Sequence, residues 1–177
     1  HAIYWAYLGL KNSKPEQLIT LRRVIYQCMQ LAAQHPDRIR TLSLVSAPVI
    51  LLKSLQKDYA AGEASWGDFI RKHGVRRWAE ETNLGTRFPA STGTGFLEWY
   101  SDELSHTDAE TLARFTELCS SYDQTRFLSQ IKAPVLGIYT TARPEQVETL
   151  RKHVQRLSVI QIDSAHFMIY QIYPQLC

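Results

Sequence analysis

Two short β-branched runs with one amphipathic stretch between them restrict this chain more than any other feature. Ala133–Thr140 (APVLGIYT) and Leu157–Ile162 (LSVIQI) read as strands, and RPEQVETLRKHV between them reads as a helix with Pro144 in its first turn. Strand, helix, strand at this spacing makes a parallel pair with a right-handed crossover. A second alternation stands near the start. AIYWAYL (Ala2–Leu8) reads as a strand, with helix as the alternative, and a helix follows it. That helix opens with Ser13 as N-cap and Pro15 in its first turn, and HPDRIR stops it because Pro36 disfavours the α region for His35. TLSLVS (Thr41–Ser46) is then a short apolar strand. Leu18, Leu21, Ile25, Cys28, Leu31 and Ala32 recur at helical spacing, which predicts a buried face containing Cys28.

Between about Pro48 and Gln130 no convincing strand occurs. Trp66, Phe69 and Ile70 form one apolar cluster, continued by Val75 and Trp78. PASTGTG (Pro89–Gly95) is a turn-rich connector, FLEWYSDELS begins a further helix, and Thr107–Glu110 (TDAE) predicts a capping box for the next. The expected organisation is one domain over 1–177, α/β in class, with a helical insertion at about 49–130 between parallel strands.

A chain of 177 residues, 45% hydrophobic and 21% charged, can bury a real core. The net charge is only +3, and the basic run RKHGVRR (Arg71–Arg77) reads as a solvated helix face rather than a nucleic-acid patch. Cys28, Cys119 and Cys177 lie far apart with no C-x-x-C pair, so a reducing, cytoplasmic compartment is expected. The longest apolar run, Leu42–Leu52, is too short to cross a bilayer and is broken by Pro48, and no secretory leader is visible. His1, His35, His73, His106 and His153 show no metal-ligand spacing, so neither a metal nor a cofactor is implied. The chain begins at His1 and stops soon after Pro174, which suggests a fragment of a longer protein.

Read in order, LAAQHPDRIRTLSLVSAP, a helical insertion, IKAPVLGIYT, PEQVETLRKHV and VIQIDSAHFMI resemble the C-terminal half of an alpha/beta hydrolase. The resemblance covers about three quarters of the chain, by the order of its words as well as their content. It implies a partial parallel sheet with flanking helices, in which TLSLVS is the family's sixth strand, PVLGIYT its seventh and SVIQI its eighth. It also implies that the insertion is a cap and that His166, after the last strand, is the general base. An acidic side chain would orient that imidazole, and a nucleophile on a sharp strand-to-helix turn would give up its proton to it.

Here the chain departs from the family. The G-x-S-x-G turn would fall on Thr20, Leu21, Arg22, Arg23 and Val24, which contain neither glycine nor nucleophile, and Arg22 stays protonated. Ser13 is a substitute nucleophile, although an N-cap role explains it better. Ser46, at a strand end, is another, with pocket wall as its commoner role. After the seventh strand stand Thr140, Thr141, Ala142 and Arg143 instead of an acid. Glu145 reads as a first-turn helix residue, Glu148 follows it, and Asp163 is explained equally by turn chemistry and by orientation of His166.

On this reading the substrate or ligand is a small apolar molecule bound under Trp66, Phe69, Trp78, Phe96, Trp99 and Tyr100, with simple core as the alternative for each aromatic. Hydrolysis of an ester, lactone or related bond is the expected activity. A degenerate, noncatalytic protein that binds a small ligand or a protein partner is the alternative. About four parallel strands remain where the family has about eight, and the open edge suggests a homodimer. Neither nucleic acid nor membrane is expected as a partner.

Overall fold

The computed structural model describes residues 28–164, which fall into two compact units. One unit contains the described residues up to Ile50 together with those from Asp123 onward; the other is Leu51–Tyr122.

The first unit is built on three parallel strands, β1 (Leu42–Val45), β2 (Val135–Thr140) and β3 (Leu157–Ile162), in the order β1-β2-β3. The register places Leu44 beside Gly137 and Gly137 beside Val159, and places Val45, Ile138 and Ile160 in one row across the sheet. Three of the four strands read from sequence are present, in the parallel sense that a crossover connection requires, and the fourth, Ala2–Leu8, lies outside the described residues. Residues 28–34 are helical and end at His35, followed by a single 3-10 turn, Pro36–Arg38. A four-residue helix, Thr125–Leu128, precedes β2. The helix linking β2 to β3 runs from Pro144 to His153; Pro144 and Glu145 stand in its first turn and Arg151, Lys152 and His153 in its last, as the helix dipole favours.

One face of the sheet carries the core. Leu42, Leu44, Val135 and Tyr139 pack there with Met29, Ala32 and Ala33 from the first helical segment and with Val147, Leu150 and Val154 from the crossover. The buried stripe of residues 28–34 therefore differs from the one expected. Cys28 is exposed and Leu31 is 43% exposed, while Met29, Ala32 and Ala33 are buried. The spacing of i, i+3 and i+4 holds, but its phase is turned by one residue, about 100°. Two alanines give the helix a flat side on which it approaches the sheet, and Cys28 lies outside the core.

The second unit is helical throughout. Its helices are α1 (Lys53–Ala60), α2 (Trp66–His73), α3 (Val75–Trp78), α4 (Leu84–Arg87), α5 (Thr94–Ser105) and α6 (Ala109–Ser120), with one π-helical turn at Ala79–Asn83 between α3 and α4. The Ser65 side chain accepts the Asp68 N–H at the start of α2, and its hydroxyl donates to the Asp68 carboxylate at 2.7 Å. The expected cluster forms: Trp66 and Trp78 stack at 5.7 Å, Tyr59 lies 4.7 Å from Trp66, and Phe69, Ile70 and Val75 close the core around them.

The capping of α6 differs from expectation. Asp108, not Thr107, is the N-cap and accepts the Thr111 N–H at 2.8 Å. Glu110 is drawn away from the box by Arg71, which it binds through both carboxylate oxygens, and by Arg114. A carboxylate that meets two guanidinium groups gains more there than at one backbone N–H.

The basic run lies on α2 and α3, and its cations meet carboxylates. Arg71 pairs with Glu110 and Glu117, Lys72 with Glu63, Arg76 with Glu80 and Asp102, and Arg77 with Glu81. Where the chain leaves β1 and where it returns before β2, the two segments run side by side. Ile50 and Asp123 form an antiparallel bridge, and the Gln124 N–H donates to the Val49 carbonyl at 2.9 Å.

Candidate functional site

In an open parallel sheet, groups that work on a ligand collect at the carboxyl ends of the strands. Here that edge holds Ser46 after β1, Thr140 and Thr141 at the end of β2, and Asp163 after β3. His166 lies outside the described residues, as do Ser13 and the stretch Thr20–Val24.

Ser46 is held in a left-handed conformation, φ 49°, while its N–H donates to the Ile138 carbonyl at 2.8 Å. A non-glycine residue in that region carries about 1 kcal/mol or more of strain, and such strain gathers at functional turns. The turn is fixed from two sides. The Tyr139 hydroxyl donates to the Ala47 carbonyl at 2.8 Å, and burial pushes that phenol well above its ordinary pKa, so it stays a donor. Gln146, buried in the first turns of the crossover helix, accepts the Val49 and Ile50 N–H groups on Oε1 and donates from Nε2 to the Ile50 carbonyl.

At the end of β2, the Thr140 hydroxyl is buried with no hydrogen-bond partner among the described residues. Buried hydroxyls are paired in most proteins, so an unpaired one at this edge is available to a ligand or a further side chain. Next to it, the Thr141 N–H donates to the Ile162 carbonyl at 3.1 Å and the Thr141 hydroxyl donates to Asp163 Oδ1 at 3.2 Å. Asp163 therefore ties the turn after β3 to the turn after β2. Glu145 occupies the first helical turn, as its position after Pro144 implies, and Glu148 is exposed one turn on.

The structure brings Ser46, Thr140, Thr141 and Asp163 to a single edge. Sequence reasoning named Ser46 and Asp163 but missed Gln146, whose partners lie 96 and 97 positions away and leave no local signal. A depression lined by Arg151, Val154, Gln155, Leu157 and Val159 lies at the opposite, amino-terminal end of β3 and plays no part in this edge.

In the helical unit, Trp66, Phe69 and Trp78 are core. Phe96 and Tyr100 meet Phe88 edge-on at 5.6 and 4.9 Å, and Trp99, 48% exposed, lies 5.3 Å from Phe96. Asn83, fully buried in the π-helical turn, donates from Nδ2 to the Tyr100 hydroxyl at 3.0 Å and accepts from Arg87 Nε at 2.9 Å. Among the described residues, no three His, Cys, Asp or Glu side chains stand together as metal ligands, and no helix is long and apolar enough to cross a membrane.

No family model matches the sequence, and no curated protein matches it. Solved structures do. The enol-lactonase from Burkholderia xenovorans LB400 superposes with a TM-score of 0.69 at 21% identity, over 86% of this chain and 59% of its own. A hydrolase from Pseudomonas aeruginosa PA01 gives 0.63 at 20% identity, over 88% of this chain and 57% of its own. A thermophilic esterase from Thermogutta terrifontis gives 0.64 at 16% identity, over 86% and 58%. The chain thus spans less than two thirds of the length of each of these proteins. Its parallel β1-β2-β3 sheet and helical flanks are a large part of the alpha/beta-hydrolase fold, and that is the fold of this chain.

Proposed function

We propose that the chain belongs to a hydrolase lineage acting on ester, lactone or related small-molecule bonds, with His166 as general base. The observation that carries this reading is the strand-end edge, where a strained Ser46, a buried Thr140 hydroxyl with no partner among the described residues, and Asp163 stand at the carboxyl ends of the three strands, the position where an open parallel sheet does its chemistry. Similarity of fold to an enol-lactonase and an esterase supports the bond class. His166 follows the end of β3 by four positions in the sequence, which supports its assignment as the base. In the proposed role it takes the proton of an attacking hydroxyl and returns it to the leaving group. The helical section over about 49–130 is read as the cap insertion of a single domain, and within it Phe88, Phe96, Trp99 and Tyr100 form an apolar ring cluster. A homodimer formed at the open sheet edge and a reducing compartment complete the proposal.

The second reading is a noncatalytic protein that binds a small apolar ligand or a protein partner. Its motive is specific: Thr20–Val24 holds no nucleophile where the fold's G-x-S-x-G turn would stand. Turnover of a p-nitrophenyl ester separates the two. Activity that follows a titration near neutral pH and is lost in His166→Ala supports hydrolysis. Turnover no greater than that of His166→Ala, with saturable binding of the ester or its acid product, supports the noncatalytic reading.

A further inference from the structure

The turn after β2, in which an acid was expected, ends in a cation. Arg143 is the N-cap of the crossover helix, and its N–H donates back to the Thr140 carbonyl at 3.3 Å, so the residue stands at the carboxyl end of the sheet. It differs from the other cations of the described chain. The remaining Lys and Arg residues there are exposed, apart from Arg87, which donates to Asn83. Arg143 is half-buried, and its side chain forms neither an ion pair nor a hydrogen bond among the described residues. Glu145, two residues on, does not pair with it, and Asp163 Oδ1 takes the Thr141 hydroxyl instead. A guanidinium partly stripped of water is costly unless an anion takes the water's place.

The groups left over define what is missing. A guanidinium only donates. The crossover helix has Pro144 in its first turn and no side-chain cap, so the Glu145 and Gln146 N–H groups have no acceptor within the helix. The Thr140 hydroxyl, in the same turn and 1% exposed, has no partner among the described residues. Each of these groups can donate, and the positive end of the helix dipole adds to the guanidinium charge. A negatively charged acceptor completes the set. Outside the described residues the sequence holds a single acidic side chain, Glu16, so the chain itself offers few candidates.

We propose that Arg143 holds a carboxylate group of the small-molecule ligand bound at this edge. Its planar fork presents two parallel N–H donors that match the two oxygens of a carboxylate. The inference rests on the strand-end edge proposed for hydrolysis but is read by binding alone, so failure of either leaves the other intact.

The test is calorimetric titration of the full chain with sodium butyrate and, at the same ionic strength, with butyramide, which has the same shape and no charge. Butyrate is expected to bind at least about tenfold more tightly than butyramide. Arg143→Gln is expected to remove that preference and Arg143→Lys to keep part of it. Arg151→Gln, which removes an exposed arginine near the amino-terminal end of β3, is expected to leave it whole. Equal binding of the two probes overturns the proposal, as does a preference that survives Arg143→Gln. Inorganic phosphate binding more tightly than butyrate also overturns it, by assigning the cation to a phosphorylated ligand. So does a butyrate preference that appears only in Glu16→Gln, which assigns Arg143 to a carboxylate of its own chain. Should Arg143→Gln fail to fold by circular dichroism, the Arg143 Nε–H resonance of the unsubstituted protein decides: a shift on adding butyrate but not butyramide supports the proposal, and its absence overturns it.

Discussion

Gln146 and Val49 stand 97 positions apart and share a 2.8 Å hydrogen bond, from the Val49 N–H to Gln146 Oε1. With the two bonds to Ile50, the amide group of one side chain reproduces a strand's worth of pairing for the segment that leaves the sheet after β1. Gln146→Leu keeps the volume and removes all three bonds, leaving buried backbone groups without partners. The expected cost is about 2–3 kcal/mol, read as a lower urea midpoint with an unchanged m-value.

Two glycines in the helical unit test close packing in opposite directions. A methyl on Gly67 in α2 would lie 3.1 Å from Glu117 Oε1 and 3.2 Å from the Ala113 carbonyl of α6, whereas one on Gly85 in α4 meets nothing within 4 Å. Gly67→Ala is expected to destabilise the protein by about 1 kcal/mol despite better helix propensity, because the facing backbone must move. Gly85→Ala is expected to stabilise it by about 0.5–1 kcal/mol. Thermal unfolding of the two variants side by side checks both signs.

Acid is expected to loosen the pairing of α2 with α6. The Arg71 and Arg114 guanidinium groups hold the Glu110 carboxyl down at about 2, from an ordinary 4.5. A carboxyl depressed by folding contributes its stability in full above the unfolded value near 4.5 and loses it as pH falls toward 2. Unfolding followed from pH 6 to pH 2 should therefore show a loss below about pH 4.5 that is smaller in Glu110→Gln and smaller in high salt. Equal acid sensitivity in the variant and the parent would place the responsible carboxylate elsewhere.

Ser46 and Ala61 both adopt left-handed backbone, at φ 49° and 45°. Ala61 closes α1 as its C-cap, so Ala61→Gly should stabilise the chain by about 1 kcal/mol and leave turnover unchanged. Ser46→Gly relieves the same kind of strain. If Ser46 is the group that His166 deprotonates, this substitution raises the melting temperature and abolishes ester turnover together; retained turnover assigns the nucleophile to another residue.

The strands were the most legible part of the chain. Leu157–Ile162 is strand over the same residues that its β-branched run marks, and the crossover helix stands within one residue of its reading at each end. Runs of this kind are decided by local propensity and burial acting together. The orientation of the 28–34 helix was not decided so, because the spacing of Cys28, Leu31 and Ala32 fixes a period without fixing which neighbouring stripe meets the sheet. Capping at Thr107 lost to Asp108 because Arg71, far from Glu110 in sequence, competes for the carboxylate that would complete the box. At the site, Ser46 and Asp163 could be named from their places after strands. The Thr140 hydroxyl, without a partner among the described residues, and the Gln146 bonds come from packing between distant segments, and no short pattern encodes them.

The bridge between Ile50 and Asp123 has a consequence for how such chains diversify. Paired residues of adjacent antiparallel segments lie only about 5 Å apart, so the stretch Leu51–Tyr122 starts and finishes at almost one point. A cassette closed in this way can grow, shrink or be exchanged for an unrelated sequence while β1 and β2 keep their neighbours. Sequence change can then accumulate in that cassette while the register of the three strands is left undisturbed.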